Sequence, residues 1–154
     1  MHKETNLTEH ELSYRAVTCD SSVKLIFENN ELEVTSEISF DSKGDCRSAV
    51  NYFLSSIIGG ILHHIMETAR RSHIILDDVE AKLHISLKNP LTFLGVIGYT
   101  DLPVIENCRI TLYMYTEMEE PDVLHFIEKS LETCFIYQTI RKAVTVDINF
   151  VPVL

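Results

Sequence analysis

The stretch SAVNYFLSSIIGGILHHIMETARR (Ser48–Arg71) decides the fold. Its apolar residues Val50, Phe53, Leu54, Ile57, Ile58, Ile61, Leu62, Ile65 and Met66 recur at steps of three and four. That spacing lays a wide apolar face along one side of a helix, and such a face has to be buried. About 24 residues make a helix of ~36 Å. Arg70, Arg71 and His73 close it, where cations complement the carbonyl end of the helix dipole. Gly59 and Gly60 break the pattern in the middle, each costing about 1 kcal/mol relative to Ala. A local violation of that kind marks close backbone approach or a functional position.

Working outward, three β-like runs precede the helix: Leu12–Thr18, Val23–Glu28 and Glu31–Phe40. In the last, Leu32, Val34, Ile38 and Phe40 carry the two-residue period of a half-buried strand. Asn29-Asn30 tolerates positive φ, so a tight hairpin is expected there. After the helix, Val79–Leu87 alternates Val79, Ala81, Leu83, Ile85 and Leu87 against Glu80, Lys82, His84 and Ser86. A further strand is read over Ile110–Thr116. The apolar segment Lys88–Asn107 between them is too long for a structureless loop in a compact domain. A short helix or extra strand is expected in it, broken at Gly95 and Gly98. This insert is read as a cover over a dimer groove, as part of a ligand pocket, or as added core.

Glu119-Glu120-Pro121-Asp122 starts a second helix, with proline in the first turn and carboxylates at the positive end. Its apolar spacing runs to Cys134, which is therefore placed at the helix's end. A turn around Tyr137–Lys142 leads to a last strand, Val144–Val151. The order is β-β-β-α-β-β-α-β with a long central helix, an α+β fold with mostly antiparallel pairing.

The 154 residues carry 13 Lys plus Arg against 23 Asp plus Glu, a formal charge of −10. No basic face is left to neutralise a phosphate backbone or an anionic membrane, so neither nucleic acid nor membrane is an expected partner. Apolar runs break within about 8 residues, short of the ~20 of a membrane span. Residues 1–11 are polar, expected to be frayed, and hold no apolar signal core; a cytoplasmic location is expected. Cys19, Cys46, Cys108 and Cys134 form no CxxC pair and read as free thiols.

The element order and three strings resemble the OsmC/Ohr family of osmotically inducible and organic hydroperoxide resistance proteins. Ser48–Arg71 is similar to its long central helix, HIILDDVEAKLHISL (His73–Leu87) to the turn and strand that follow, and LETCFIYQTIRKAVTVDINF (Leu131–Phe150) to its ending. The resemblance covers Ser48–Phe150 and implies one OsmC-like domain over 1–154. It also implies an intertwined homodimer with sites at the interface. Family members of the peroxidase type attack an organic hydroperoxide with a thiolate on the central helix. A second cysteine then closes a disulfide, which a dithiol reduces.

Carried over position by position, the second cysteine falls on Cys134, and the attacking one falls on Gly60. The family's glutamate and proline near the helix start fall on Val50 and Ala49, and Phe135 stands where proline is usual. Arg15 and Arg47 are candidates for its arginine. The resemblance therefore implies an OsmC-like protein without two-cysteine peroxidase activity. Two alternatives stand beside it: a binder of a small apolar ligand at the interface pocket, or a thiol-dependent redox protein using Cys134. Ser56, Gly60, His63, His64 and Glu67 are the candidate lining residues, since Ser56, Gly60 and His64 share one helix face and His63 and Glu67 share another. His63 and Glu67 alone do not make a zinc site, which needs three or four ligands, and no metal or cofactor is implied. His73, His84 and His125 read as surface or internally satisfied residues, and Cys19, Cys46 and Cys108 as structural thiols.

Overall fold

Two-residue turns build the first sheet. In the computed structural model, which describes residues 10–41 and 43–153, β1 (Arg15–Cys19), β2 (Ser22–Phe27) and β3 (Asn30–Val34) form an antiparallel meander. Residues 1–9 of the segment expected to be frayed lie outside the described residues. Cys19 pairs with Ser22 and Phe27 with Asn30, leaving Asp20-Ser21 and Glu28-Asn29 as the turns. The expected hairpin is present, one residue earlier than read. Asp20 and Glu28 carry the positive φ, 50° each, that such turns require in their first central position.

The run read as a strand to Phe40 leaves the sheet at Val34. Thr35 instead donates its backbone N–H to the Arg47 carbonyl at 3.0 Å, and Ser36 bridges to Ser48. Ser48, fully buried, accepts the Asn51 N–H on its Oγ at 3.2 Å and closes the start of α1 (Ala49–Arg71). The chain divides into two compact units, one ending at Phe53 and one beginning at Leu54, so the first residues of α1 belong to the former.

In the second unit, α1 turns its Ile57, Ile61, Ile65 and Ala69 inward, a row stepping by four. The row packs with Ile110, Leu112 and Met114 of β5 and with Val123, Phe126, Ile127 and Leu131 of α3 to make the core. β4 (Asp77–Lys88), β5 (Val104–Tyr115) and β6 (Val146–Pro152) form the sheet, β4–β5 antiparallel and β5–β6 parallel. The parallel pair needs a crossover, and α3 (Glu120–Leu131) and α4 (Phe135–Ile140) supply it. α1 ends in a Schellman motif. His73 takes φ 57°, Ile74 N–H reaches the Ala69 carbonyl at 2.9 Å, and His73 N–H reaches that of Arg70. His73 is therefore the reversing residue beyond the helix rather than a cation in its last turn.

The apolar insert contains the short helix α2 (Pro90–Phe93), and Gly95 and Gly98 break it at φ 70° and 94°. It is not core: Leu94, Ile97 and Leu102 are 56%, 98% and 76% exposed. Asn89 Nδ2 donates to the Leu102 carbonyl at 2.8 Å and ties its base. Among the described residues α1 is the one helix long and apolar enough to cross a membrane, by length and composition alone. Counting unbroken apolar runs passes over this because glycine, serine and histidine interrupt them.

Candidate functional site: a cleft over the mid-helix glycine

One row round from its buried stripe, α1 presents Gly60, His64, Thr68 and Arg71 on a shared face. These residues, with His63 and Glu67, form one side of a cleft of about 260 Å³. Cys134, Phe135 and Ile136, at the junction into α4, form the other. Four of the five expected lining residues therefore stand together with Cys134. Ser56, a turn before Gly60, is exposed on α1 and does not line the cleft.

The absence of a side chain at Gly60 has a local cause. A Cβ built there would collide with Ile136 Cδ1 and stand 3.4 Å from its Cγ1. The glycine lets the tip of the Ile136 side chain reach the backbone of α1. Gly59 differs, with nothing within 4 Å of the position its Cβ would take. The close approach at Gly60 is thus made within one chain.

Cys134 does not end a helix. α3 stops at Leu131, and Cys134 is the extended residue preceding α4, at φ −83° and ψ 112°. Its carbonyl accepts the Gln138 N–H at 2.9 Å, and the residue is 2% exposed. The expected turn at Tyr137–Lys142 is mostly this six-residue helix, too short to show a period in sequence. All four thiols are free. Cys19 and Cys46 are exposed, and Cys108 is buried in β5, where burial pushes its thiol pKa up.

The polar rim is partly committed. Glu67 pairs with Arg70 at 2.9 Å, and that hydrogen bond, with the positive charge behind it, holds the Glu67 carboxyl below its ordinary range. Thr68 Oγ1 donates to the His64 carbonyl at 2.9 Å, and His64 Nε2 lies 3.1 Å from Thr133 Oγ1. With the Glu67 carboxylate already paired to Arg70, Arg71 adds a positive charge at one end of the cleft. Among the described residues no three of His, Cys, Asp and Glu are grouped to hold a metal. Arg47, in the N-terminal unit, is held by Asp45 and Glu33.

Sequence reasoning reads Arg71 only as a cation closing the helix and Phe135 only as a departure from the family's proline, and it passes over Thr68 and Ile136; none of the four is among the expected lining residues. Arg71 carries a usable signal, since it continues the three-and-four steps from Gly60 through His64 and Thr68. The others depend on the fold of the α3–α4 junction.

The fold is that of a known class. The OsmC-like protein from Mycoplasma pneumoniae superposes with a TM-score of 0.73 at 15% identity, over 95% of this chain and 99% of that one. An organic hydroperoxide resistance protein of Bacillus subtilis gives 0.59 at 12% identity, over 92% and 98% of the two chains. The organic hydroperoxide resistance protein OsmC of Legionella pneumophila gives 0.61 at 15%, over 92% and 96%. At these identities the likeness is one of fold. No curated protein matches by sequence. The OsmC-like protein family matches residues 41–149, and the chain belongs to that family.

Proposed function

We propose that this chain is an OsmC-like protein without the two-cysteine peroxidase chemistry of its hydroperoxide-reducing relatives, and that the cleft over Gly60 holds a small, largely apolar organic ligand. One observation carries the reading: position 60 holds no side chain, and the tip of Ile136 reaches into the space a Cβ there would take. The family resemblance assigns the attacking sulfur to that position. Two-cysteine peroxide reduction needs one sulfur to become a sulfenic acid and a second to displace water from it as the disulfide forms. Without the first sulfur, Cys134 has nothing to close upon. Its 2% exposure also argues against its attacking peroxide alone.

The cleft's walls support binding. Phe135 is 91% exposed beside it and Ile136 forms its base, while His63, His64 and Arg71 edge it with polar groups. A mostly apolar lining with a few placed polar groups is the usual composition of a small-molecule site. The exposed apolar side chains Met66 and Ile75, which line one open groove with Ile74 at the end of α1, support the further proposal that two copies associate as a homodimer. Sedimentation at the mass of one chain would overturn that part.

The test is an organic hydroperoxide assay with a dithiol reductant. Wild type and Cys134→Ser are expected to be equally inactive, whereas gentle purification followed by mass spectrometry is expected to return a bound small molecule. Turnover by wild type that disappears in Cys134→Ser would overturn the loss of peroxidase chemistry. Protein that stays ligand-free across apolar metabolite and lipid screens would overturn the binding role.

A further inference from the structure

The sheet face turned away from the helices carries a second cluster that the cleft over Gly60 does not involve. His84 of β4 stands opposite Arg109 of β5, and Arg109 opposite Asp147 of β6. A cation, an imidazole and a carboxylate thus lie in one row across three strands, at the spacing where neighbours interact directly. With Ser86 and Asn107 they line a cavity of about 350 Å³.

Two features separate this row from ordinary surface decoration. Among the described residues, none of His84, Arg109 and Asp147 takes part in an ion pair or side-chain hydrogen bond. On the same face Lys82 is engaged twice, by Glu80 at 3.5 Å and by the Tyr113 ring at 4.8 Å from its centroid. Lys82 is thus paired, whereas Arg109, like Lys88 at the end of β4, is left open, and Arg109 stands beside a carboxylate one strand away.

The backbone is also distorted at this point. Between the pairs His84/Arg109 and Ser86/Glu106, β5 carries one residue more than β4, and Asn107 there takes φ 52°. A bulge of this kind re-aims side chains, and a left-handed non-glycine residue is a local cost that persists where the surroundings hold it.

We infer that this row binds a small carboxylic acid carrying a neighbouring hydroxyl or ammonium group. The Arg109 guanidinium offers a planar fork of donors that matches a carboxylate, and His84 adds a further donor or acceptor. Asp147, accepting only, suits a hydroxyl or ammonium placed next to that carboxylate and disfavours a multiply charged anion. The cavity is at the lower end of the size range of ligand sites, which limits the molecule to a few heavy atoms beyond its carboxylate.

Backbone amide shifts of the labelled full chain, titrated with lactate, glycine, acetate and inorganic phosphate, test this. Lactate, glycine or both are expected to move the amides of Ile85, Asn107, Arg109 and Asp147, and to bind more tightly than acetate or phosphate. Response to one alone identifies the second group as hydroxyl or ammonium. Arg109→Gln is expected to weaken binding about tenfold, the scale of one charge-assisted contact. Asp147→Asn is expected to abolish the preference over acetate. These side chains are exposed, so an unchanged spectrum elsewhere establishes folding. No localised shift with any of the four, a preference for phosphate, or an affinity that Arg109→Gln leaves unchanged overturns the inference.

Discussion

Gly60 and Ile136, 76 positions apart in sequence, compete for one space: the δ-methyl of the isoleucine lies too close to the place a Cβ of residue 60 would take for both to fit. Two adjacent glycines in one helix therefore have different causes. At Gly60 the tip of a neighbouring side chain would have to move aside for a Cβ, and at Gly59, with open space around it, nothing would. A helix interior penalises both alike, so only tertiary contact separates them.

Gly59→Ala is accordingly expected to raise the unfolding free energy by about 0.5–1 kcal/mol, the helical cost of glycine. Gly60→Ala should fail to show this gain, because Ile136 must be displaced. Ile136→Val removes the colliding methyl and should restore the gain at position 60, a coupling on the order of 1 kcal/mol between touching residues. Urea titration of the four variants and wild type measures the cycle. Additive behaviour of Gly60→Ala and Ile136→Val would show that the two side chains do not compete.

How far the sequence reveals this arrangement depends on the length of each signal. The spacing predicts a helix over Ser48–Arg71 and α1 spans Ala49–Arg71, because six turns of three-and-four spacing leave little freedom. β4 is legible for the same reason, its alternation running unbroken from Val79 to Leu87. β5 was read from Ile110, yet it starts at Val104. The bulge at Asn107 shifts the pairing register, so the apolar residues before it fall out of phase with those after it. In the cleft, His64 follows from its helical offset to Gly60, His63 and Glu67 from their own four-residue spacing, and Cys134 from the family resemblance. Ile136 does not follow from either, since nothing local ties it to a glycine on another helix.

Ser130 is a fully buried hydroxyl whose Oγ has no hydrogen-bond partner, and it shares the buried side of α3 with Phe126, Ile127 and Leu131. Burying an unpaired hydroxyl costs about 1–3 kcal/mol, and alanine keeps the helix while removing it. Ser130→Ala is therefore expected to stabilise the chain by about 1 kcal/mol in urea unfolding, allowing for the small void it leaves. A destabilisation of similar size would mean that the hydroxyl contributes a bond in solution.

Asp45 and Arg47 give the pH prediction. The Arg47 side chain donates to both Asp45 carboxylate oxygens, from Nε to Oδ1 at 3.0 Å and from Nη2 to Oδ2 at 2.7 Å, and its other terminal nitrogen pairs with Glu33. The Arg47 hydrogen bonds, side chain first and backbone second, hold the Asp45 carboxyl down to about 2 from an ordinary 3.8. Because the folded value is the lower one, the stabilisation from this pair is complete above pH 3.8 and is lost as pH falls through about 2. Arg47→Gln should return the Asp45 midpoint toward 3.8, as followed by carboxyl carbon shifts, and should flatten the stability profile across that window. The pair is open to solvent, so added salt should move the wild-type midpoint in the same direction. An Asp45 midpoint that stays put in Arg47→Gln would show that something other than the guanidinium sets it.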